Sequence, residues 1–580
     1  MELPGFRISL VLPLHGIHSS GVRVLFILLF FSNIVFAKPL LPIRIQGAAG
    51  DGSKAALAKA GANSFRTWDV DDKTGALLDE AQAHGLKVML GIWLGHERHG
   101  FDYNDFDQIT KQREKVRQAV EAHKDHPAVL CWALGNEMEG FGAGDNPAIW
   151  GHLDSLASMV KKMDPKHPVA TVIAEIGGRK VEAVHKLCPN VDILGINSYG
   201  GVKSLPRRYR EAGGTKPYVV TEYGPNGTWE TQKTSFGAVP EETSTQKAKR
   251  YGDAFLALQA DELCLGSYAF TWGYKQEGTA TWFGMLLPGG RHLGVVDTLQ
   301  ELWTGKPPAN RCPSIQPLKI QGSAVNITEQ GQVLTVLLDA KDPEGDPLKT
   351  EWILMDESQD YNTGGDFRES PNSFPSSILE SSATSAKIRM PDNGGTYRIY
   401  ATVTDPSNGA ATANLPLFVK GARKEAPAAK VSLPFSPIGK YYPTGWMGNT
   451  VAMDLKEGET LHFQYKATDN WGGIVWQHPP NDWGDQPGGY DLSGAKRLTF
   501  RAKGQQGGEV ATFSMGIIGK DKPHHDSSKT EKKATLTPDW KTYTLDLTGK
   551  DLSRIKSGFC ITVAGQGRPL SIEIADIRYE

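Results

Sequence analysis

Two glutamates in this chain each stand at the end of a short apolar run. Glu137 ends the string LGNE (134–137), and Glu222 lies in the string VVTEYG (219–224). A buried strand places such a carboxylate at its tip, and in an eight-stranded α/β barrel the carboxyl ends of the strands form the active site. Two carboxylates that face each other across a sugar carry out glycoside hydrolysis: one protonates the leaving oxygen, and the other attacks the anomeric carbon or activates water. The two motifs together therefore predict a glycoside-cleaving site more specifically than either motif alone.

The elements that would position these glutamates occupy residues 41–308. Eight apolar runs have the length of strands: Ile43–Gln46, Ser64–Thr67, Lys87–Trp93, Val129–Leu134, Val169–Ala174, Ile193–Asn197, Tyr218–Thr221 and Gly266–Thr271. Helical patterns lie between them at Lys54–Ala60, Gly75–His84, Gln112–His123, Ile149–Lys162 and Ser244–Ala260. This alternation predicts a parallel sheet, and the length suits a (β/α)8 barrel, which usually has about 250 residues. A doubly wound open sheet is the alternative, although no GxGxxG follows the first strand.

The rest of the chain is typical of β-sandwiches. Residues 311–420 contain short strand patterns and the turn sequences DPEGD and DNGG, which predict an immunoglobulin-like sandwich. The acidic turn either binds calcium or is a solvated loop. Residues 421–430 form a linker, and residues 431–580 predict a jelly-roll sandwich. The expected fold class is therefore multidomain: an α/β TIM barrel (38–310) followed by two all-β sandwich domains.

The first 37 residues have the pattern of a secretory signal peptide. Val24–Phe36 is almost wholly apolar, follows Arg23 and precedes Ala37 at a plausible cleavage site. Because this run is shorter than the roughly 20 residues of a membrane span, cleavage is favoured over an uncleaved anchor. The mature chain is expected to be secreted, or periplasmic or in the cell envelope, without a membrane span.

Composition argues against several other classes of function. The chain has 63 Lys+Arg against 65 Asp+Glu and a net charge of −2, so no basic excess points to nucleic acid. Five scattered cysteines without CxxC spacing suggest neither a disulfide framework nor a zinc site. The string HERH (96–99) could suggest a metal, but adjacent residues of a strand point apart. Neither a metal nor another cofactor is expected.

Several strings resemble the catalytic barrel of clan A glycoside hydrolases, and of family 2 in particular. GANSFRTW (61–68) is similar to the second barrel strand of the clan. The family 2 strings have counterparts in the same order at HPAV…LGNE (126–137), DPKHPV (164–169), DILGINSY (192–199) and TEYG (221–224). Sandwich domains precede the barrel in that family, whereas here they follow it. The C-terminal sandwich resembles carbohydrate-binding modules of the galactose-binding-like fold.

The resemblance implies roles for the matching positions. Glu137 would be the general acid/base and Glu222 the nucleophile of a retaining double displacement. Asn136 would bind the 2-hydroxyl of the reacting sugar, and Arg66 and Tyr199 would flank Glu222.

Further residues on the same predicted face would bind substrate. Trp272, after the eighth strand, would stack on the reacting sugar, although ordinary barrel packing is the alternative. Trp68, Trp93, His96 and Trp229 combine rings with polar groups, as sugar subsites do. Arg66 could instead pair with a nearby acid such as Asp69.

The expected function is that of a retaining β-glycosidase acting on a β-linked polysaccharide or oligosaccharide. Loose similarity of RTWD (66–69) and EYGP (222–225) to glucan-active clan members makes β-1,3-glucan the leading substrate. A transglycosylase with the same residues and a non-catalytic carbohydrate-binding or adhesion protein are the alternatives. The C-terminal sandwich is expected to bind polysaccharide through Trp446, Trp471, Trp476 or Trp483. A chain that ends near Pro308 is expected to fold and to cleave short substrates.

Overall fold

The computed structural model describes residues 39–140, 142–358, 361, 370–421 and 428–580. The predicted signal peptide and most of the predicted linker lie outside the described residues. Parallel strands close the N-terminal sheet into a barrel in the order β1 to β8, with β8 paired to β1. Their bounds are β1 Ile45–Ala49, β2 Ser64–Arg66, β3 Lys87–Ile92, β4 Val129–Leu134, β5 Val169–Ala174, β6 Ile193–Asn197, β7 Tyr218–Tyr223 and β8 Cys264–Phe270. The predicted fold class, a barrel followed by β-sandwich domains, is confirmed.

Helices follow the strands and pack around the barrel. Their bounds are α1 Lys54–Lys59, α2 Thr74–Ala83, α3 Phe106–His123, α4 Pro147–Met163, α5 Lys180–Leu187, α6 Leu205–Glu211, α7 Ser244–Gln259 and α8 Gly294–Thr304. Side-chain caps set where several of them begin. Asp105 accepts the N–H groups of Asp107 and Gln108, so α3 begins six residues before the predicted start at Gln112. The sequence patterns did not predict α5, α6 and α8.

Three barrel strands differ from their predicted bounds by two or more residues, and the eighth strand does so because it begins at Cys264 rather than Gly266. The first begins at Ile45 rather than Ile43 and runs on to Ala49. The seventh continues to Tyr223, so Glu222 lies within the strand, opposite Asn197 of β6, rather than beyond its tip. That pairing brings Glu222 directly beside the end of the neighbouring strand.

The middle region forms a sandwich that is built onto the barrel. Strand β9 His292–Leu293 belongs to the barrel region. The strands of the sandwich are β10 Ser314–Ile315, β11 Lys319–Ile320, β12 Ile327–Thr328, β13 Val333–Leu337, β14 Ala340–Lys341, β15 Lys349–Asp356, β16 Ile378–Ser381, β17 Ser385–Arg389, β18 Gly395–Thr404 and β19 Gly409–Val419. One sheet has the order β11-β13-β17-β16 and the other β12-β19-β18-β15. In the acidic turn, Asp342 accepts the N–H groups of Glu344 and Asp346. The barrel strand β9 pairs with β19 of the sandwich.

Buried charged groups lie between the barrel and the middle sandwich. Arg398 of β18 is fully buried, pairs with Glu357 and donates a hydrogen bond of 2.7 Å to the backbone oxygen of Val239. Its other terminal nitrogen donates to Asn414, and the amide of Asn414 donates to Glu241 in the barrel. Because buried charges are tolerated only when they are paired and hydrogen-bonded, this network makes the two regions depend on each other.

The C-terminal region packs two sheets around an aromatic core. Its strands are β20 Ala429–Lys430, β21 Tyr442–Gly448, β22 Met453–Lys456, β23 Thr460–Tyr465, β24 Trp471–Gln477, β25 Tyr490–Asp491, β26 Arg497–Gly504, β27 Val510–Met515, β28 Thr530–Thr535, β29 Lys541–Asp546, β30 Ser557–Ala564 and β31 Leu570–Tyr579. The sheet orders are β21-β24-β30-β27-β28 and β22-β23-β31-β26-β29. Trp476 is fully buried in this core, so it is unavailable to a ligand. Among the described helices of the chain, none has the length and hydrophobicity needed to cross a bilayer.

Candidate active site

Glu222 lies near the end of β7 and accepts hydrogen bonds from three side chains. Its Oε1 accepts from Arg66 Nη1 at 2.8 Å and from the indole nitrogen of Trp68 at 2.9 Å. Its Oε2 accepts from the hydroxyl of Tyr199 at 2.7 Å. The residue is 6% exposed. Three convergent donors fix its orientation, and the guanidinium balances its charge.

Arg66 connects Glu222 to the neighbouring strand ends. It is 1% exposed at the end of β2, and its Nη2 donates to Asn136 Oδ1 at 2.6 Å. Nη1 also approaches the backbone oxygen of Thr221 at 3.2 Å. Asp69, the alternative partner considered from the sequence, instead pairs with Lys115 at 2.8 Å. The structure therefore places Arg66 beside Glu222, as expected.

Glu137 follows β4 in a tight backbone turn. Gly135 and Glu137 both have positive φ, at 71° and 53°. A side chain at Gly135 would collide with Met138, because a Cβ built there lies 2.3 Å from the Met138 sulfur. The N–H of Glu137 donates to the backbone oxygen of Val172 on β5, which anchors the turn. The turn therefore holds the carboxyl at the strand tips.

The environment of Glu137 favours its protonated form. Burial raises the pKa of Glu137 to about 7, and the negative charges of Glu222 and Glu139 act in the same direction. A hydrogen bond of 2.6 Å from Asn197 and the charge of Arg66 oppose that rise. The two carboxyl groups of this site thus have different surroundings. Glu222 is paired with Arg66, whereas no ion pair involves Glu137 among the described residues. Such a difference separates an acid from a nucleophile.

Asn197 is a site residue that our sequence analysis did not single out. It ends β6, and its amide nitrogen donates to Glu137 at 2.6 Å and to Asn136 Oδ1 at 3.2 Å. Its own oxygen accepts from the hydroxyl of Thr221 at 2.7 Å. A polar residue at the carboxyl end of a predicted barrel strand was the available signal. Asn197 links the two halves of the site.

Asn136 is held with one group still available. Its Oδ1 accepts from both Arg66 and Asn197. Within the part of the chain that the structure describes, its Nδ2 has no protein acceptor. The half-buried side chain can therefore donate a hydrogen bond to a sugar hydroxyl, as expected from the resemblance.

Aromatic rings surround Tyr199 above Glu222. Trp229, which is 46% exposed, meets the Tyr199 ring edge-on at 5.6 Å between centroids. Phe283 lies 5.4 Å and Phe270 6.0 Å from the same ring. Burial and the negative charge of Glu222 raise the pKa of Tyr199 well above its usual value, so its hydroxyl remains a proton donor. Of the predicted aromatic residues, Trp68 and Trp229 thus belong to this group.

The expectation for Trp272 is wrong. The side chain is 1% exposed, and its indole nitrogen donates to the backbone oxygen of Ser53 at 3.0 Å, beside α1. Phe270 is the β8 aromatic within the cluster: its ring lies 6.1 Å from Trp68, and the Lys275 ammonium lies 5.0 Å above it. The strand ends at Phe270, so the period-2 alternation that would place both rings on one face stops there.

Trp93 and His96 form a separate stack after β3. Their rings are parallel at 4.7 Å between centroids, and His99 stacks on His96 at 5.5 Å. His96 is buried and Trp93 is half-buried. The backbone N–H of Trp93 donates to Asp69 at 3.0 Å. These residues belong to the strand-3 loop, next to the loop that carries Glu137.

Comparison with known proteins agrees with the barrel fold. Residues 58–261 match the sequence model of the family "Glycosyl hydrolases family 2, TIM barrel domain". The barrel is similar to the catalytic barrel of glycoside hydrolase family 2. This confirms the resemblance seen in the sequence strings, and the matched segment of the family 2-like barrel contains both glutamates.

Curated relatives match only part of their length. A β-glucuronidase of Streptococcus agalactiae is 26% identical over 195 residues, covering 29% of this chain and 31% of the relative. A β-galactosidase of Leuconostoc mesenteroides is 27% identical over 170 residues, covering 28% of this chain and 14% of the relative. The chain therefore spans a third or less of these relatives.

Solved structures with some likeness include two glycosidases. Ruminococcus gnavus β-glucuronidase has a TM-score of 0.37 and 13% identity, covering 46% of this chain and 51% of that one. The endo-β-1,4-mannanase of Thermotoga petrophila has a TM-score of 0.33 and 11% identity, covering 66% of this chain and 98% of that one.

Proposed function

We propose that this chain is a retaining β-glycosidase in which Glu137 is the general acid/base and Glu222 the nucleophile. The observation that carries the proposal is the difference between two carboxyl groups within one hydrogen-bond network. Arg66, Trp68 and Tyr199 hold Glu222 as an oriented carboxylate. Burial keeps the pKa of Glu137 at about 7, so a large fraction carries the proton that a leaving group needs.

The geometry supports a double displacement. In the first step Glu137 gives its proton to the glycosidic oxygen while a Glu222 oxygen bonds to the anomeric carbon, and the aglycone leaves as an alcohol. In the second step the ionised Glu137 takes a proton from a water molecule. The water oxygen attacks the same anomeric carbon, and Glu222 leaves as a carboxylate. Asn136 donates to the 2-hydroxyl, a contact that strengthens in the transition state.

The proposed substrate is a β-linked glycan, with β-1,3-glucan as the first candidate. Support for a β-glycoside comes from the family 2 match and from relatives named β-glucuronidase and β-galactosidase. Support for β-1,3-glucan comes only from the RTWD and EYGP strings. The exposed aromatic ring of Trp229 suits the apolar face of a pyranose. We further propose that the protein is exported to the cell envelope or the medium, on the signal-like sequence of residues 24–37.

Chemical rescue tests the mechanism. Glu222→Ala should abolish turnover of an activated aryl β-glycoside, and azide should restore it with formation of the glycosyl azide of inverted configuration. Glu137→Ala should give the azide product with retained configuration. Lys115→Ala, which removes a surface cation near Asp69, is the control and should leave turnover unchanged. If azide rescues neither glutamate variant, the assignment of Glu137 and Glu222 as the catalytic pair is wrong.

Product analysis tests the substrate. The mature chain should be incubated with β-glucans, mannans and galactans and with aryl β-glucuronide, β-galactoside and β-glucoside. Release of short β-1,3-linked oligosaccharides or glucose is the expected result. Products longer than the substrate would instead identify transfer to a sugar acceptor, and cleavage of the uronide alone would replace glucan as the substrate.

A further inference from the structure

Three side chains that can bind a metal meet where the barrel region joins the middle sandwich. A ring nitrogen of His292, a carboxylate oxygen of Asp297 and the sulfur of Cys312 all lie within 4.8 Å of one another. His292 lies in β9, Asp297 in the first turn of α8, and Cys312 just before β10 of the sandwich. We call these three residues the junction triad.

Backbone contacts hold the side chains of the junction triad in place. Asp297 Oδ2 accepts the N–H of Cys312 at 2.6 Å, and Asp297 Oδ1 lies 3.5 Å from His292 Nε2. The thiol of Cys312 donates to the backbone oxygen of His292 at 3.3 Å. Asp297 and Cys312 are buried, whereas His292 is half-buried. The three ligands are therefore positioned before an ion arrives, and the His292 side gives an ion a path from solvent.

A second carboxylate beside the junction triad has an oxygen without a partner. Asp405 is 4% exposed, and its Oδ1 accepts the N–H groups of Ser407 and Gly409. Among the described residues, its Oδ2 has no hydrogen-bond partner. A Cβ built on Gly409 would lie 2.4 Å from this oxygen and 3.1 Å from the Cα of Cys312, so the oxygen lies next to the triad. Because a buried polar atom without a partner costs free energy, this oxygen points to a missing donor such as a metal-bound water.

The chemistry of the junction triad suits zinc. Thiolate sulfur, imidazole nitrogen and carboxylate oxygen are the usual ligands of Zn²⁺, which binds them at about 2.0–2.3 Å in a tetrahedron. Such ligands are about 3.3–3.6 Å apart, close to the 3.5 Å between His292 and Asp297. In the described part of the chain, Asp405 forms no ion pair, and the ion-pair partner of Asp297 is the His292 ring. A divalent cation would balance the charge of these two buried carboxylates.

We propose that the junction triad binds one zinc ion. A water would be the fourth ligand and would donate a hydrogen bond to Asp405 Oδ2. On binding, the metal replaces the proton of the Cys312 thiol, and that proton passes to solvent. The ion would tie β9 and α8 to the start of the sandwich, and so stabilise the junction of the two regions.

This inference replaces the expectation, drawn from cysteine spacing, that the chain holds no metal. The ligands come from a strand, a helix and the segment that leads into the sandwich, so they form no CxxC motif. The inference does not depend on the proposed function, because none of the three ligands belongs to the network around Glu137 and Glu222.

Zinc titration of the full-length chain tests the site. After dialysis against EDTA, the protein should take up one zinc ion per chain, and its melting temperature should rise with the concentration of free zinc. Cys312→Ala and His292→Gln should each weaken zinc binding by at least about 100-fold, and Asp405→Asn, which alters the partner of the bound water, by about tenfold. Cys560→Ala removes another buried free cysteine and is the matched control, which should bind zinc as the parent does.

Cobalt substitution identifies the ligands. Co²⁺ bound to Cys312 should give the intense near-ultraviolet absorption of a cobalt–thiolate bond, which Cys312→Ala should lack and Cys560→Ala should keep. A parent chain that binds no zinc overturns the proposal, and so does a Cys312→Ala variant with the parent's zinc affinity and cobalt spectrum. If Cys312→Ala misfolds, His292→Gln at its half-buried position decides, because unchanged zinc affinity in that variant also overturns the proposal. None of these measurements uses glycoside cleavage, so the proposed function is tested separately.

Discussion

The side-chain amide of Asn197 donates a hydrogen bond of 2.6 Å to the carboxylate of Glu137. This bond stabilises the ionised form of Glu137 against the burial and the nearby negative charges that disfavour it. It also joins β6, next to the strand of Glu222, to the tip of β4. Asn197 is therefore placed to tune the acid while it aligns the two halves of the site.

The activity of the proposed acid should fall in alkaline solution. Because Glu137 must carry a proton in the first step, kcat/KM should decrease as the pH rises through its pKa of about 7. Asn197→Ala removes an interaction that lowers this pKa, so the alkaline limb should move to higher pH. Glu139→Gln removes a negative charge that raises it, so the limb should move to lower pH. Shifts in the same direction for both variants, seen in pH–rate profiles, would contradict the assignment.

Replacing Arg66 should impair chemistry more than binding. Arg66→Met keeps much of the side-chain volume but leaves Glu222 without its cation and Asn136 without one of its two donors. A loss of kcat on the order of 100- to 1000-fold is expected, as for removal of a donor that acts on the transition state. Dissociation of an inert disaccharide should change much less. An Arg66→Met enzyme with normal kcat would show that this ion pair only stabilises the fold.

Phe270 and Trp272 should differ in what their variants lose. Phe270→Ala removes the β8 ring of the cluster around Tyr199, so kcat/KM should fall. Trp272→Phe removes the indole hydrogen bond to Ser53 and part of a buried ring, which should cost at least about 1 kcal/mol of unfolding free energy and leave the kinetic constants unchanged. Denaturant unfolding and steady-state kinetics of both variants measure the loss of stability and the loss of activity separately. A lower kcat/KM of Trp272→Phe without loss of stability would instead indicate that Trp272 contacts the substrate.

Truncation should show that the barrel needs the middle sandwich. The interface revises the expectation that a chain ending near Pro308 folds alone, because that chain lacks Arg398 and Asn414 and leaves Glu241 short of a donor. It should be aggregated or have a much lower melting temperature, whereas a chain ending at Lys420 should fold and cleave aryl glycosides.

A point variant isolates the same interface. Arg398→Met in the full chain should cost about 3–5 kcal/mol, since it removes the guanidinium that forms an ion pair with the buried Glu357 carboxylate. Arg389→Met, which removes an exposed ion pair with Asp392, is the control and should cost little. Equal midpoints for the two variants in thermal unfolding would mean that the buried network contributes nothing.

The sequence predicted those parts of the molecule that follow from periodicity and from local strings. Two of the eight predicted strands, β2 and β3, agree with the structure to within one residue at each end, and three more, β4, β5 and β6, coincide with it. Helix α6 has few apolar residues and begins with Leu205-Pro206 after a tight turn. Its sequence therefore lacks the 3.6-residue hydrophobic periodicity that would predict a helix. Local strings also located Glu137, Glu222 and Arg66.

Groups that depend on distant contacts were not predictable in this way. Asn197 acts through a residue 60 positions away, and its string gave no reason to prefer it over Ser198. Phe270 and Trp272 are distinguished only by where β8 ends, which tertiary packing decides. Arg398, fully buried in an otherwise uncharged strand, has partners in both regions that no local pattern reveals.

The contact between Arg398 and Val239 has a consequence for synthesis of the chain. The two residues are 159 positions apart, and Asn414 lies 173 positions after Glu241. At roughly 5–20 residues per second, a ribosome that has completed the β7 loop needs about ten to thirty seconds more to deliver these partners. Through that interval the nascent barrel holds Glu241 without its sandwich partner Asn414, so it should be protease-sensitive until the sandwich emerges. Maturation of the catalytic domain is thereby timed by the domain that follows it.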